Sequence, residues 1–131
     1  MAQFACKCGH RVSDTTDRLP YKAALLPDAH SEEFFGGIPD AAEALVDAVL
    51  RGSRETWIKQ RFLKGYPRDL SHFDIFSDFV LSLQLKYQRT CYECEVCGRL
   101  WLQKAPQVND YMGFVPESGR YEGMLSAKRK R

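Results

Sequence analysis

Two short cysteine pairs near opposite ends of the chain constrain its fold more than any other feature. The first pair reads Cys-x-Cys-Gly at Cys6 and Cys8, and the second reads Cys-x-x-Cys-Gly at Cys94 and Cys97. The glycine after each pair allows the backbone to turn tightly beneath a metal ion. Zn²⁺ prefers four ligands in a tetrahedron, and two close pairs from separate segments supply them with little strain. The pattern predicts one structural zinc site formed by Cys6, Cys8, Cys94 and Cys97.

Three alternatives to this interpretation remain open. His10 lies two residues after Cys8 and would replace one cysteine in a Cys₃His site. Cys91 forms a three-residue series with Cys94 and Cys97, but a strand would point Cys91 and Cys94 to opposite faces, which favours a packed core thiol. A thiol redox protein is the third alternative, although neither pair has the strand-to-helix context of a thioredoxin-like motif.

Size and composition limit the class of protein. With 131 residues, of which 44% are hydrophobic, the chain has enough material for one domain with a packed core. No signal peptide opens the sequence and no apolar run is long enough to span a bilayer, so we expect a cytoplasmic protein without a membrane segment. A reducing cytoplasm would keep the five cysteines as thiols, so metal binding explains them better than disulfides.

Charge is distributed unevenly along the chain. Four of the 19 Lys and Arg residues lie in the final SAKRKR, which leaves 15 against 17 Asp and Glu, and an acidic body does not favour general nucleic-acid binding. Residues 23–50 contain no Lys or Arg and six acids, which are Asp28, Glu32, Glu33, Asp40, Glu43 and Asp47. Residues 51–68 contain six bases and one acid. Such blocks usually indicate solvated helix faces, and less often a surface that faces a partner.

Capping signals in the middle of the chain predict three helices. Asp40 with Glu43 forms a capping box directly after Pro39, which predicts a first helix from about residue 40. Ser53 and Ser71 have side chains suited to cap two further helices. Apolar residues recur at helical spacing after each of these starts, so each helix has a face to bury.

Strand signals lie on both sides of these helices. SDTTD at residues 13–17 has the composition of a turn, and residues 19–28 favour a short strand. Residues 88–102 resemble the hairpin of a zinc ribbon across the second cysteine pair, and residues 111–115 predict one more strand. The sequence therefore predicts an α+β fold whose small zinc-ribbon-like β part is built from both chain ends around a helical insert.

We expect a single zinc-stapled domain over residues 1–125, with the helical insert at about 40–87 and a basic, disordered tail at 126–131. No His-Glu-x-x-His, P-loop or dinucleotide-binding pattern occurs. Four thiolates would also close the coordination shell of zinc. We therefore expect the protein to act by binding and not to be an enzyme.

Two classes of partner fit this expectation. The interpretation we favour is a protein partner, bound by a surface that the zinc holds in shape. The alternative is nucleic acid, bound by the basic tail and by WIKQRFLKGYPR, where Lys59, Arg61, Lys64 and Arg68 interleave with aromatic residues. The aromatic residues of that segment also fit a buried helix face, with the charges on its solvated side.

A family resemblance supports the first class. FACKCGHRVSDTTDRLPYKA together with CEVCGRLW resembles small bacterial zinc-ribbon-like proteins that begin with a Cys-x-Cys-Gly knuckle and end with Cys-x-x-Cys-Gly-Arg. Such proteins resemble the immunity partners found beside polymorphic or contact-dependent toxins. The resemblance implies that Cys6, Cys8, Cys94 and Cys97 are the zinc ligands, and it implies no enzymatic activity. An immunity protein would use an acidic surface such as 28–47 to cover the basic cleft of a nucleic-acid-cleaving toxin.

Overall fold

The computed structural model describes residues 3–126, which form an α+β fold of three helices and two antiparallel sheets. The elements in chain order are β1 (Gln3–Ala5), β2 (Arg11–Ser13), β3 (Lys22–Leu25), a 3₁₀ turn (Asp28–His30), α1 (Ser31–Leu50), α2 (Arg54–Arg61), α3 (His72–Tyr87), β4 (Arg89–Glu93), β5 (Leu100–Gln103) and β6 (Tyr111–Phe114). The predicted fold class is confirmed. Of the predicted basic tail, residues 127–131 lie outside the described residues.

The described chain divides into two compact units. The strand unit contains both ends of the chain, up to Leu25 and from Gln88 onward, and the helical unit runs from Leu26 to Tyr87. A β part built from both ends around a helical insert is therefore confirmed. The single zinc-stapled domain over residues 1–125 stays a prediction.

Aromatic packing forms the core of the strand unit. β1 and β2 form a two-stranded sheet, while β3, β4, β5 and β6 form a four-stranded sheet in that order. The ring of Phe4 on β1 lies 5.5 Å from Tyr92, 5.8 Å from Trp101 and 5.9 Å from Tyr111, measured between ring centroids. These contacts between the two sheets bury Tyr92 to 3% exposure, and Val12 in the same cluster is 2% exposed. The predicted hairpin across the second cysteine pair is confirmed, because β4 and β5 pair directly.

The helical unit buries one face of each helix. Leu45 from α1, Trp57 and Ile58 from α2, and Ile75 from α3 form its central cluster. The predicted start at Ser71 is confirmed, because the Asp74 amide donates to the Ser71 hydroxyl at 3.0 Å. Within residues 3–126, none of the helices combines the length and apolarity needed to cross a bilayer.

The predicted start of the first helix at residue 40 is wrong, because α1 begins at Ser31 and contains Pro39. An interior proline removes one helical hydrogen bond and crowds the preceding turn, so proline is expected at the start of a helix and not within it. The capping signals directly after Pro39 therefore resembled a helix start. The earlier turns bury Phe34 to 5% exposure. Burial of a large aromatic side chain contributes about 2–3 kcal/mol, which offsets a cost of about 3 kcal/mol for an interior proline.

Candidate metal centre

The structure brings together the four cysteines that the sequence predicted as metal ligands. The Sγ atoms of Cys6 and Cys97 are 3.6 Å apart, and those of Cys8 and Cys94 are also 3.6 Å apart. All four sulfurs lie within 4.8 Å of one another. Each close contact joins the start of the chain to its second cysteine pair, so these four residues can hold a metal ion that links the two segments.

The spacing of the sulfurs fits a tetrahedral metal ion. A Zn–S bond of about 2.3 Å places the sulfurs of a regular tetrahedron about 3.8 Å apart. The two 3.6 Å contacts and the 4.8 Å limit bracket that value. Four sulfur donors favour Zn²⁺ or another thiophilic ion over Mg²⁺ or Ca²⁺, which prefer oxygen.

The backbone turns in a similar way at both pairs. In the first, the Cys6 amide donates to the His10 carbonyl at 2.8 Å and the Gly9 amide donates to the Cys6 carbonyl at 2.9 Å. In the second, the Cys94 amide donates to the Arg99 carbonyl at 2.9 Å and the Gly98 amide donates to the Cys94 carbonyl at 2.8 Å. The second loop is one residue longer, as Cys-x-x-Cys requires. Each turn therefore brings its two cysteines close together.

Both turn glycines have a left-handed backbone, but their surroundings differ. Gly9 has a φ of +96° and nothing within 4 Å of the position where a Cβ would lie. Gly98 has a φ of +78°, and a Cβ there would collide with the backbone carbonyl of Arg120. The segment after β6 therefore packs directly on the second cysteine turn.

This difference predicts unequal effects of two identical substitutions. We expect Gly98→Ala to lower the free energy of unfolding by about 3 kcal/mol, because backbone strain adds to a clash with backbone atoms. Gly9→Ala, the matched control, causes only the backbone strain and should lower the free energy of unfolding by about 1 kcal/mol. Urea denaturation of both variants measures the difference. Equal losses would show that the close approach at Gly98 does not exist in solution.

Burial and hydrogen bonds together shift the pKa values of the clustered thiols. Burial by itself would raise the pKa of Cys6, but hydrogen bonds from the Cys8 amide and the Trp101 indole outweigh it and lower this pKa to about 6. Burial raises the pKa of Cys94 to about 12. A divalent cation stabilises thiolates, so metal binding would release protons from the buried sulfurs.

The indole of Trp101 is a supporting contact that the sequence analysis did not identify. Its Nε1–H donates to the Cys6 sulfur at 3.4 Å. Hydrogen bonds of this kind orient a metal-binding sulfur and spread its negative charge. The sequence signal for this contact was a tryptophan three residues after Gly98, on the strand that follows the turn.

Among the described residues, the two alternative ligands, His10 and Cys91, lie outside the cluster that can hold a metal. Within the described residues, the cluster that can hold a metal contains Cys6, Cys8, Cys94 and Cys97 without His10 or Cys91. Cys91 lies on β4 opposite Ala23 and is 6% exposed, as expected for a packed core thiol. Burial raises the pKa of Cys91, so it is a poor nucleophile at neutral pH.

The SDTTD segment contributes to the strand unit through Asp14. Its carboxylate pairs with Lys22 at 2.6 Å and accepts a hydrogen bond from the Tyr92 hydroxyl at 2.5 Å. Burial would raise the pKa of Asp14, but the contacts with Lys22 and Tyr92 outweigh it and lower this pKa. These bonds give Asp14 a structural role in joining the loop to β3 and β4.

The predicted nucleic-acid contacts are only partly brought together. Lys59, Lys64 and Arg68 line a hollow of about 400 Å³ that also contains Phe62 and Tyr66. The fourth residue, Arg61, instead places its guanidinium carbon 4.5 Å from the centroid of the Trp57 ring. The basic residues of the segment therefore do not form one continuous surface.

Comparison with protein-family models matches residues 2–118 to a family described as Domain of unknown function (DUF8617). The matched range includes both cysteine pairs. The comparison with curated proteins and the comparison with solved structures each found no match.

Proposed function

We propose that this chain, which belongs to the DUF8617 family, is a zinc-stapled module that acts by binding another protein. The close approach of four sulfurs from distant segments supports the metal-binding part. Four thiolates leave no open position on zinc for water or substrate, so they favour a structural metal over a catalytic one. Zinc in such a site contributes to folding free energy, which suits a small unit built from two chain ends.

An acidic face on α1 is the observation that carries the protein-binding part. Five exposed carboxylates on this helix belong to it, namely Glu32, Glu33, Asp40, Glu43 and Asp47. At 3.6 residues per turn they fall within about 100° of the helix circumference. Within the described residues, Asp47 is the one member with an ion pair, to Arg51 at 3.4 Å. The face is therefore available to a basic partner.

An exposed apolar strip lies beside this acidic face. Phe35 is 62% exposed, Val46 is 59% exposed and Leu50 is 80% exposed. Helical geometry places all three within about 60° of the edge of the acidic face, while the opposite side of α1 packs in the core. Exposed apolar side chains next to a charged face favour a protein partner, since protein interfaces combine apolar contact with complementary charge.

A basic protein fits this surface best, and the resemblance to immunity proteins makes a bacterial toxin the leading candidate. Complementary charge would speed the encounter with a basic catalytic cleft. Binding across such a cleft would then neutralise the toxin by excluding its nucleic-acid substrate. No catalytic step by the present chain is required.

The test is site-specific photo-crosslinking in native cells, with a photoreactive amino acid in place of Val46. We expect one crosslinked protein, and at least about tenfold less of it when Glu43→Lys and Asp47→Lys reverse the acidic face. The matched control is Asp17→Lys with Asp69→Lys, which changes net charge equally at two exposed sites outside α1. An equal loss of the crosslinked protein in both double variants would show a general charge effect and contradict the proposal.

The hollow with Lys59, Lys64 and Arg68 supports a second candidate function. Its cations and aromatic rings suit phosphates and bases of a single-stranded nucleic acid. This candidate predicts that a pull-down from native cells recovers nucleic acid and that crosslinking at Val46 recovers no protein. It also predicts binding that weakens steeply with salt and is lost in Lys59→Glu with Lys64→Glu.

A further inference from the structure

An apolar groove of about 460 Å³ lies in the strand unit. Glu93, Leu100 and Phe114 occupy one register row across β4, β5 and β6, so they share a face of the sheet. The row forms one side of the groove, and the segment after β6 supplies the rest, with Val115, Pro116, Met124 and Leu125.

The apolar side chains of this groove remain exposed. Phe114 is 47% exposed, Met124 is 57% exposed and Val115 is 68% exposed. Apolar neighbours that border one concave surface gain free energy when a ligand removes them from water. The groove is therefore suited to hold apolar side chains.

The polar groups of the groove are acidic. Among the described residues, its lining contains the carboxylates of Glu93, Glu117 and Glu122 and no Lys or Arg. Glu93 is 4% exposed, and its Oε1 accepts a hydrogen bond from the Leu125 amide at 3.4 Å. Glu122 pairs with Arg120 at 2.9 Å. A nearly buried carboxylate without an ion pair in the described residues favours a cationic ligand.

A free sheet edge lies next to the groove. In the described sheet, β6 is the last strand and pairs with β5 on one side. The Lys104 amide donates to the Asp110 carbonyl, so the alternation of an antiparallel pair points the backbone groups of Tyr111 and Gly113 away from β5. An extended segment along this edge could bond to those groups and place side chains beside Phe114.

We propose that this groove binds an extended segment of a partner protein in which apolar side chains alternate with Lys or Arg. The groove takes the apolar side chains, the carboxylates of Glu93 and Glu117 attract the cations, and the edge of β6 bonds to the backbone. The inference deepens the proposed function, on which it rests, by adding a peptide-binding surface separate from the acidic face of α1.

The candidate metal centre supports the wall of this groove. Gly98 lines the groove and directly follows the ligand Cys97. The backbone of Arg120 packs on Gly98 so closely that no Cβ fits between them. Loss of the metal would loosen the turn on which the wall rests, so the groove should bind its segment only in the metal-loaded protein.

The test is fluorescence anisotropy with the metal-loaded full chain and two labelled peptides. The probes are Lys-Val-Lys-Leu-Lys-Val-Lys and the same peptide with Glu at every Lys. We expect the basic peptide to bind at least about tenfold more tightly than the acidic one, and its affinity to fall with salt. Equal binding of the two peptides, or binding of neither, would overturn the inference.

Variants locate the binding site. Phe114→Ser should weaken binding of the basic peptide about tenfold, whereas Phe73→Ser, a matched change at a phenylalanine that is 78% exposed on α3, should leave it unchanged. Glu117→Lys tests the groove without removing apolar contact, because Glu117 is exposed, and should weaken binding several-fold. Unchanged binding in Phe114→Ser and Glu117→Lys would overturn the inference.

Other occupants give different results. If the basic tail of the same chain fills the groove, a chain ending at Ser126 will bind the peptide more tightly than the full chain, which overturns the inference. Self-association that Phe114→Ser abolishes would identify a second copy of the chain as the occupant and would overturn the inference as well.

If peptides fail to bind while α1 still crosslinks a protein, the inference fails and the proposed function stands. If α1 crosslinks no protein while the peptide binds normally, the role of α1 in the proposed function fails instead.

Discussion

Cys94→Ser should abolish metal binding and unfold the strand unit. The Cys94 side chain has 0% exposure and its sulfur is 3.6 Å from that of Cys8, so a serine there leaves a buried hydroxyl in place of a ligand. Structural zinc sites contribute about 10–16 kcal/mol, as much as the whole stability of a small domain at about 5–15 kcal/mol. Elemental mass spectrometry and circular dichroism of the purified variant measure metal content and folding.

Cys91→Ser is the matched control for this prediction. Cys91 is also a buried cysteine, at 6% exposure, but it lies outside the group of four sulfurs. We expect this variant to retain the metal and to lose about 1–3 kcal/mol of stability, because a hydroxyl replaces a thiol in the core. Loss of the metal in Cys91→Ser, with its retention in Cys94→Ser, would show that the proposed set of four ligands is wrong.

Removal of the metal by a strong chelator should change the two tryptophans differently. Trp101 donates to the Cys6 sulfur and packs on Phe4, so loss of the metal should expose it to water and shift its emission to longer wavelength. Trp57 is 3% exposed in the core of the helical unit and should keep its emission. Fluorescence of Trp57→Phe reports on Trp101 alone, and Trp101→Phe reports on Trp57 alone.

The two reporters also distinguish local from global effects of the metal. A red shift in Trp57→Phe with none in Trp101→Phe would show that the metal stabilises the strand unit alone. Equal shifts in both variants would show that the helices also depend on the metal, which contradicts this prediction. No shift in either variant would remove the structural role assigned to the metal.

Local signals in the sequence were sufficient to predict the cluster of four cysteines that can hold a metal, and to predict most elements. The two Gly-followed cysteine pairs specify tight turns, and a four-ligand site requires the pairs to meet, so their distance in sequence was no obstacle. Ser71 marked the start of α3 because a cap acts within one helical turn. The first helix was placed too late, since the gain from burying Phe34 before Pro39 depends on tertiary packing that no local signal reveals.

Contacts between distant segments that no motif in the sequence marks could not be predicted. The hydrogen bond from Trp101 to Cys6 spans 95 positions, and the approach of Arg120 to Gly98 involves a segment without regular structure. The acidic block of residues 28–47 was visible in the sequence. Its arrangement as one face became apparent only when α1 was found to begin at Ser31, so that Glu32 and Glu33 share a helix with Asp47.

X-ray absorption spectroscopy of the untagged protein, purified under reducing conditions, tests the central claim most directly. The account predicts one zinc per chain surrounded by four sulfur atoms at about 2.3 Å, without scattering from an imidazole ring. Three sulfurs and one nitrogen would instead place His10 in the site. A protein without metal would contradict the account, and its paired cysteines would then have to be tested as redox thiols.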